Sequence, residues 1–97
     1  MNRYCVSPDT LVAALDGVTV LLHLDSKRYF SLNETGALIW RLVESGADEE
    51  VIAGQLVQQY QVTPTEARRT MLGVLDQLID AELLSRRDDQ GKMEVGA

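Results

Sequence analysis

A chain of 97 residues fits one domain with a modest core, and an apolar share of 45% with only 5% aromatics excludes a disordered chain and leaves aliphatic side chains to fill the interior. The formal net charge of −6, with no basic cluster larger than the pairs Lys27-Arg28, Arg68-Arg69 and Arg86-Arg87, counts against nucleic acid as a partner, because phosphate neutralisation supplies much of that affinity. Cys5 is the single cysteine, so no internal disulfide forms; Met1 to Cys5 lacks the apolar core of a signal peptide and no apolar run approaches the ~20 residues of a membrane span, so the expectation is a cytoplasmic protein with no membrane partner.

In chain order, residues 3 to 6 read as a short extended piece. Leu11 to Leu15 is an apolar strand ended by Asp16-Gly17, a strong two-residue hairpin signal. Val18 to Leu24 follows as a second strand. Val18, Val20, Leu22 and Leu24 point to one of its faces, and Thr19, Leu21 and His23 to the other. Asp25-Ser26-Lys27 is a turn, and Arg28 to Leu32 a third strand. Helices occupy the rest. Asn33 is a good N-cap for a helix to about Glu44, anchored by Trp40, with Gly46 as its stop. Asp48 caps a second helix, with Glu49 and Glu50 favourably placed on its dipole. Thr63-Pro64-Thr65-Glu66 combines an N-cap, a first-turn proline and a capping-box glutamate, and starts a third helix to about Glu82. The order is that of an α+β chain: a three-stranded antiparallel sheet followed by three helices. From Arg86 the chain is polar and reads as a frayed tail; the alternative is a small wing, with Asp88 to Gly91 turning back Met93 to Val95. The expected division is a domain over residues 1–87 and a polar tail over 88–97.

Catalysis needs converging groups, and this chain offers one histidine, one cysteine and no glycine-rich phosphate loop. His23 lies mid-strand without a Cys or second His to share a metal. The acid pairs Glu49-Glu50 and Asp88-Asp89 belong to a helix start and a turn. No catalytic residue, metal site or cofactor is expected, and the chain reads as a non-enzyme. The third helix is more informative. Ala67, Met71, Val74 and Leu78 form one stripe, and Arg68, Leu72, Leu75 and Ile79 form a second beside it. The arc is wider than packing on one partner requires. Either both stripes are core, or the second walls a groove. The third strand offers another wall, because in a three-stranded meander it is an edge with unpaired backbone groups. Such an edge beside an apolar helix suits addition of an extended peptide as a further strand.

Arg28-Tyr29-Phe30-Ser31-Leu32-Asn33-Glu34-Thr35-Gly36-Ala37-Leu38-Ile39-Trp40 resembles the PqqD family, where an aromatic and a Leu-Asn step precede an apolar helix. The order of the Asp-Gly hairpin, this segment, Ala47 to Tyr60 and the Thr-Pro-initiated helix is also similar, and the resemblance covers roughly residues 8 to 85. It implies a winged-helix-like fold and a function as a recognition element for ribosomally made, modified peptides. The leader of a precursor peptide would add beside the third strand and lie against the third helix. Carried onto this chain, the peptide-binding residues are Arg28, Tyr29, Phe30, Ser31 and Leu32 with Arg68, Leu72, Leu75, Asp76 and Ile79. Within the family the chain looks most like the stand-alone leader-binding proteins of lasso-peptide clusters, which deliver the precursor to a separate leader peptidase. Members acting with radical SAM enzymes, as in pyrroloquinoline quinone biosynthesis, are the alternative. Two other readings stay open: a winged-helix DNA-binding regulator, and a non-catalytic dimerisation subunit pairing with itself as a homodimer through the same edge.

Overall fold

Two tight turns organise the front of the molecule. In the computed structural model, which describes residues 2–88, strand β1 (Asn2–Val6) leads into a meander of β2 (Thr10–Leu15), β3 (Val18–His23) and β4 (Tyr29–Leu32). Asp16 and Gly17 both take positive φ, 49° and 79°. This is the turn whose twist matches antiparallel strands, and glycine is suited to its second position. The β3–β4 connection ends on Lys27, at φ 64°. There His23 accepts from the Lys27 N–H and donates its own N–H to the Arg28 carbonyl, both at 2.8 Å. Two residues thus oppose one, the pattern of a β-bulge. His23 is buried and its Nδ1 accepts from the Ser26 N–H at 3.2 Å, so the histidine fastens this turn.

The helices start where their caps place them. α1 (Glu34–Glu44) is capped by Asn33, whose Oδ1 accepts from the Gly36 N–H at 2.8 Å. Gly36 has a second role: a Cβ there would meet Leu32 Cδ2 at 3.1 Å. The Leu-Asn step therefore works as a unit, with Leu32 turning into the core, Asn33 closing the helix end and Gly36 leaving room for Leu32. Asp48 caps α2 (Glu49–Tyr60) and Thr63 caps α3 (Pro64–Asp80), each through a side-chain oxygen. Strand β5 (Leu84–Asp88) is the last element of the described residues.

Sheet order is β2-β3-β4, with a separate two-stranded sheet β1-β5. The second sheet differs from the expectation of a frayed tail from Arg86. Leu84 to Asp88 pairs antiparallel with the N-terminal strand, from Val6↔Leu84 to Asn2↔Asp88. The partner is more than 75 residues away in sequence, where no turn signal points to it. The alternative wing strand, Met93 to Val95, lies outside the described residues.

The core gathers Leu21 and Leu32 from the sheet, Ile39, Trp40 and Val43 from α1, Ile52 and Leu56 from α2, and Ala67, Met71, Leu75 and Leu78 from α3. In β3 the inward face is Thr19, Leu21 and His23, with Leu21 0% and His23 5% exposed. The face richer in aliphatics, Val18, Val20, Leu22 and Leu24, is the outer one. No helix among the described residues is long and apolar enough to cross a membrane.

Candidate functional site

β4 is an edge strand, and its backbone polarity follows from the hydrogen bond at its start. The pairs Leu22↔Tyr29, Leu21↔Phe30, Val20↔Ser31 and Thr19↔Leu32 set the register. Because His23 donates to the Arg28 carbonyl, hydrogen-bonded pairs recur at Phe30 and Leu32. Tyr29 and Ser31 then aim their N–H and C=O groups at the open side. Side chains alternate with the same period. Phe30 and Leu32 share the inner face with Leu21, while Tyr29 and Ser31 lie on the outer face. Tyr29 is 72% exposed and Leu32 only 6%. Phe30 lies between these extremes, half-buried against the core.

α3 divides in a similar way, with a correction to the two stripes. Leu75, of the second stripe, is 0% exposed, whereas Val74, of the first, is half-buried. The fully buried line is Ala67, Met71, Leu75 and Leu78. Leu75 is at its centre because it follows Met71 by four residues and precedes Leu78 by three, both within one turn on one face. Leu72 and Ile79, seven residues apart on one face, remain half-buried and packed against the core, and Asp76 is exposed. Leu32 and Leu75 are thus core side chains that support the surface from beneath. Arg28 and Ser31 are exposed.

Arg68 has a partner the sequence pattern did not indicate. Its guanidinium sits 3.3 Å from Glu49 Oε1, and the other Glu49 oxygen accepts from the Tyr4 hydroxyl. Arg86 lies over the Tyr4 ring, 5.8 Å from its centroid. This group ties β1 and β5 to the starts of α2 and α3. Burial, with Glu49's acceptor and negative charge beside it, pushes the Tyr4 phenol up to about 12. The exposed Arg68–Glu49 pair itself contributes little. Among the described residues no three His, Cys, Asp or Glu side chains gather as a metal site would require.

These features define a class: a winged-helix-like α+β domain with an open strand edge and a partly covered apolar helix face. The model for the family "Coenzyme PQQ synthesis protein D (PqqD)" matches residues 19–84. Two solved structures share the fold. "TbiB1 in Complex with the TbiA(beta) Leader Peptide" is 31% identical with a TM-score of 0.76, covering 92% of this chain and 98% of that one. "Lasso peptide synthetase B1 complexed with the leader peptide" is 30% identical with a TM-score of 0.77, covering 86% and 98% respectively. No curated protein sequence matches the chain. The chain belongs to the PqqD family.

Proposed function

We propose that this chain binds the leader segment of a ribosomally made precursor peptide and presents it to a separate enzyme. The observation that carries the reading is the β4 edge. Tyr29 and Ser31 offer backbone donors and acceptors to a further strand, while half-buried Phe30, Leu72 and Ile79 leave apolar surface for alternate side chains of that strand. Strand addition uses backbone hydrogen bonds for affinity and apolar contacts for selection, so it needs no catalytic group. The likeness to two solved structures, each a complex with a leader peptide and one of them a lasso peptide synthetase B1, supports the same reading. It favours a leader peptidase over a radical SAM enzyme as the partner that receives the precursor. Residues 1–87 would form the binding domain. A DNA-binding role gains nothing from the net charge of −6.

Calorimetry of the full chain with the leader of the precursor encoded beside it tests the proposal. Binding at ~1 μM or tighter is expected, about −8 kcal/mol or more favourable. Absence of heat, together with unchanged amide spectra at high micromolar peptide, would contradict it.

A further inference from the structure

The opposite edge of the sheet is untouched by leader binding at β4. β2 reads Thr10-Leu11-Val12-Ala13-Ala14-Leu15, with no charge and no proline. Every residue from Leu11 onward is exposed, Leu11 at 54% and Leu15 at 61%. Among the described residues, the only element it packs on closely is β3. Proteins usually blunt an edge strand with lysine, proline, a bulge or a cover, because its unpaired backbone groups template further pairing. β2 has no such residue within it.

Its backbone polarity is fixed by the Asp16-Gly17 turn. A two-residue turn of this type closes on a hydrogen-bonded pair, here Leu15↔Val18. Leu15, Ala13 and Leu11 therefore address β3, and Ala14 and Val12 turn their N–H and C=O groups outward. The Thr10 N–H is held by the Ser7 carbonyl at 3.2 Å. A second β2 laid antiparallel about a two-fold axis at Ala13 brings Val12 of one copy opposite Ala14 of the other, and the converse. Those are the residues whose backbone groups are free, so donors meet acceptors without a slip. The same register sets Leu11 opposite Leu15 of the second copy, twice, on the outer face beside Leu22 and Val18. The strand is nearly palindromic about the axis that its hydrogen bonding requires. A two-fold contact of this kind must be self-complementary, and this one is.

We propose that two copies of this chain associate by antiparallel β2–β2 pairing, giving a six-stranded sheet whose outer edges are the two β4 strands. Because β2 packs closely on no helix among the described residues, the second copy meets strand and not helix. The contact is small. A six-residue strand is ~20 Å long and offers well under the ~800 Å² per partner of a standard interface. The dimer is therefore weak and forms at high concentration. Acidic groups oppose it at both ends, where Asp9 and Asp16 of the two copies approach, and each copy carries a net charge of −6. Salt screens this repulsion and strengthens association. The inference does not depend on leader binding.

Sedimentation of the full chain from ~10 μM to ~1 mM, at low and high salt, tests the proposal. The mass is expected to rise from 10.8 kDa toward twice that value, more so in high salt. Amide exchange at Val12 and Ala14 should slow as concentration rises. Val12→Lys, which adds an edge charge, and Ala14→Pro, which removes an outward N–H that the chain's own sheet does not use, should each weaken association at least tenfold. Ser31→Lys on the other edge should leave it unchanged. A monomer mass at every concentration would overturn the proposal. So would loss of association in Ser31→Lys with none in Val12→Lys, or protection of Val12 and Ala14 only when a different protein is added. Should a variant unfold, exchange at these two amides in the unaltered chain still decides the question.

Discussion

β2 and β4 are the two edges of one three-stranded sheet, and among the described residues neither has a strand paired on its outer side. They differ in what lies behind them. β2 is exposed on both faces from Leu11 to Leu15. β4 is anchored by Leu32, which packs on Gly36 at the start of α1, and by Phe30, half-buried on the core shared with Leu72 and Ile79. An unpaired edge alone specifies only that another strand can join. An edge with ordered apolar side chains beside it can also select which strand joins, because alternate residues of the newcomer must find fixed surfaces. The contrast fits the two proposals: self-pairing, which needs no selection, at β2, and peptide selection at β4.

Substitutions behind and on β4 test this contrast in order of size. Leu75→Asp should unfold the domain, since it buries an unpaired carboxylate at a fully enclosed position; loss of the helical circular dichroism signal is the readout. Trp40→Ala should cost about 3–5 kcal/mol in urea unfolding, because the ring is almost wholly enclosed. Leu72→Asp or Ile79→Asp, on half-buried positions, should leave the chain folded and weaken leader binding tenfold or more, about 1.4 kcal/mol. If these variants unfold instead, α3 has no face available to a peptide. Tyr29→Ala should change stability by no more than about 0.5 kcal/mol, as expected for an exposed side chain on the outer face.

The clamp around Tyr4 adds a pH test of the third region, the β1–β5 sheet. Its phenol titrates near 12 in the folded chain, against ~10 when unfolded. The folded state thus favours the protonated phenol. That contribution is fully present below pH ~10 and is lost as pH rises toward about 12. Absorbance titration should show one of the three tyrosines ionising late, and Tyr4→Phe should abolish the late step.

Local signals were the legible part of the fold. Asn33, Asp48 and Thr63 cap the helices they suggest, and Asp16-Gly17 turns the hairpin, because each acts on backbone within a few residues. What depended on distant partners was not legible. Pairing of Leu84–Asp88 with Asn2–Val6 joins the two ends of the described chain, and the Tyr4–Glu49–Arg68 contacts join three elements. Burial of β3 could not be read from apolar content either. The face with more aliphatics is outward, and the face with Thr19 and His23 is inward, where Leu21 joins the core with the helix residues and His23 fastens the Ser26 turn. For the site, the ordered Tyr-Phe-Ser-Leu-Asn segment pointed to β4, but its Leu32 is core. On α3, periodicity shows a wide apolar arc and not its centre: Leu75 shares a stripe with Leu72 in the sequence, yet only Leu72 reaches the surface.

Amide spectra of the chain titrated with its leader peptide test the central assignment most directly. Slowed exchange and large shifts are expected at Tyr29 and Ser31, with side-chain shifts at Phe30, Leu72 and Ile79, while Val12 and Ala14 stay as they were in the free chain at the same concentration. Protection that appears instead at Val12 and Ala14, with Tyr29 and Ser31 unchanged, would contradict the assignment of the peptide to the β4 edge.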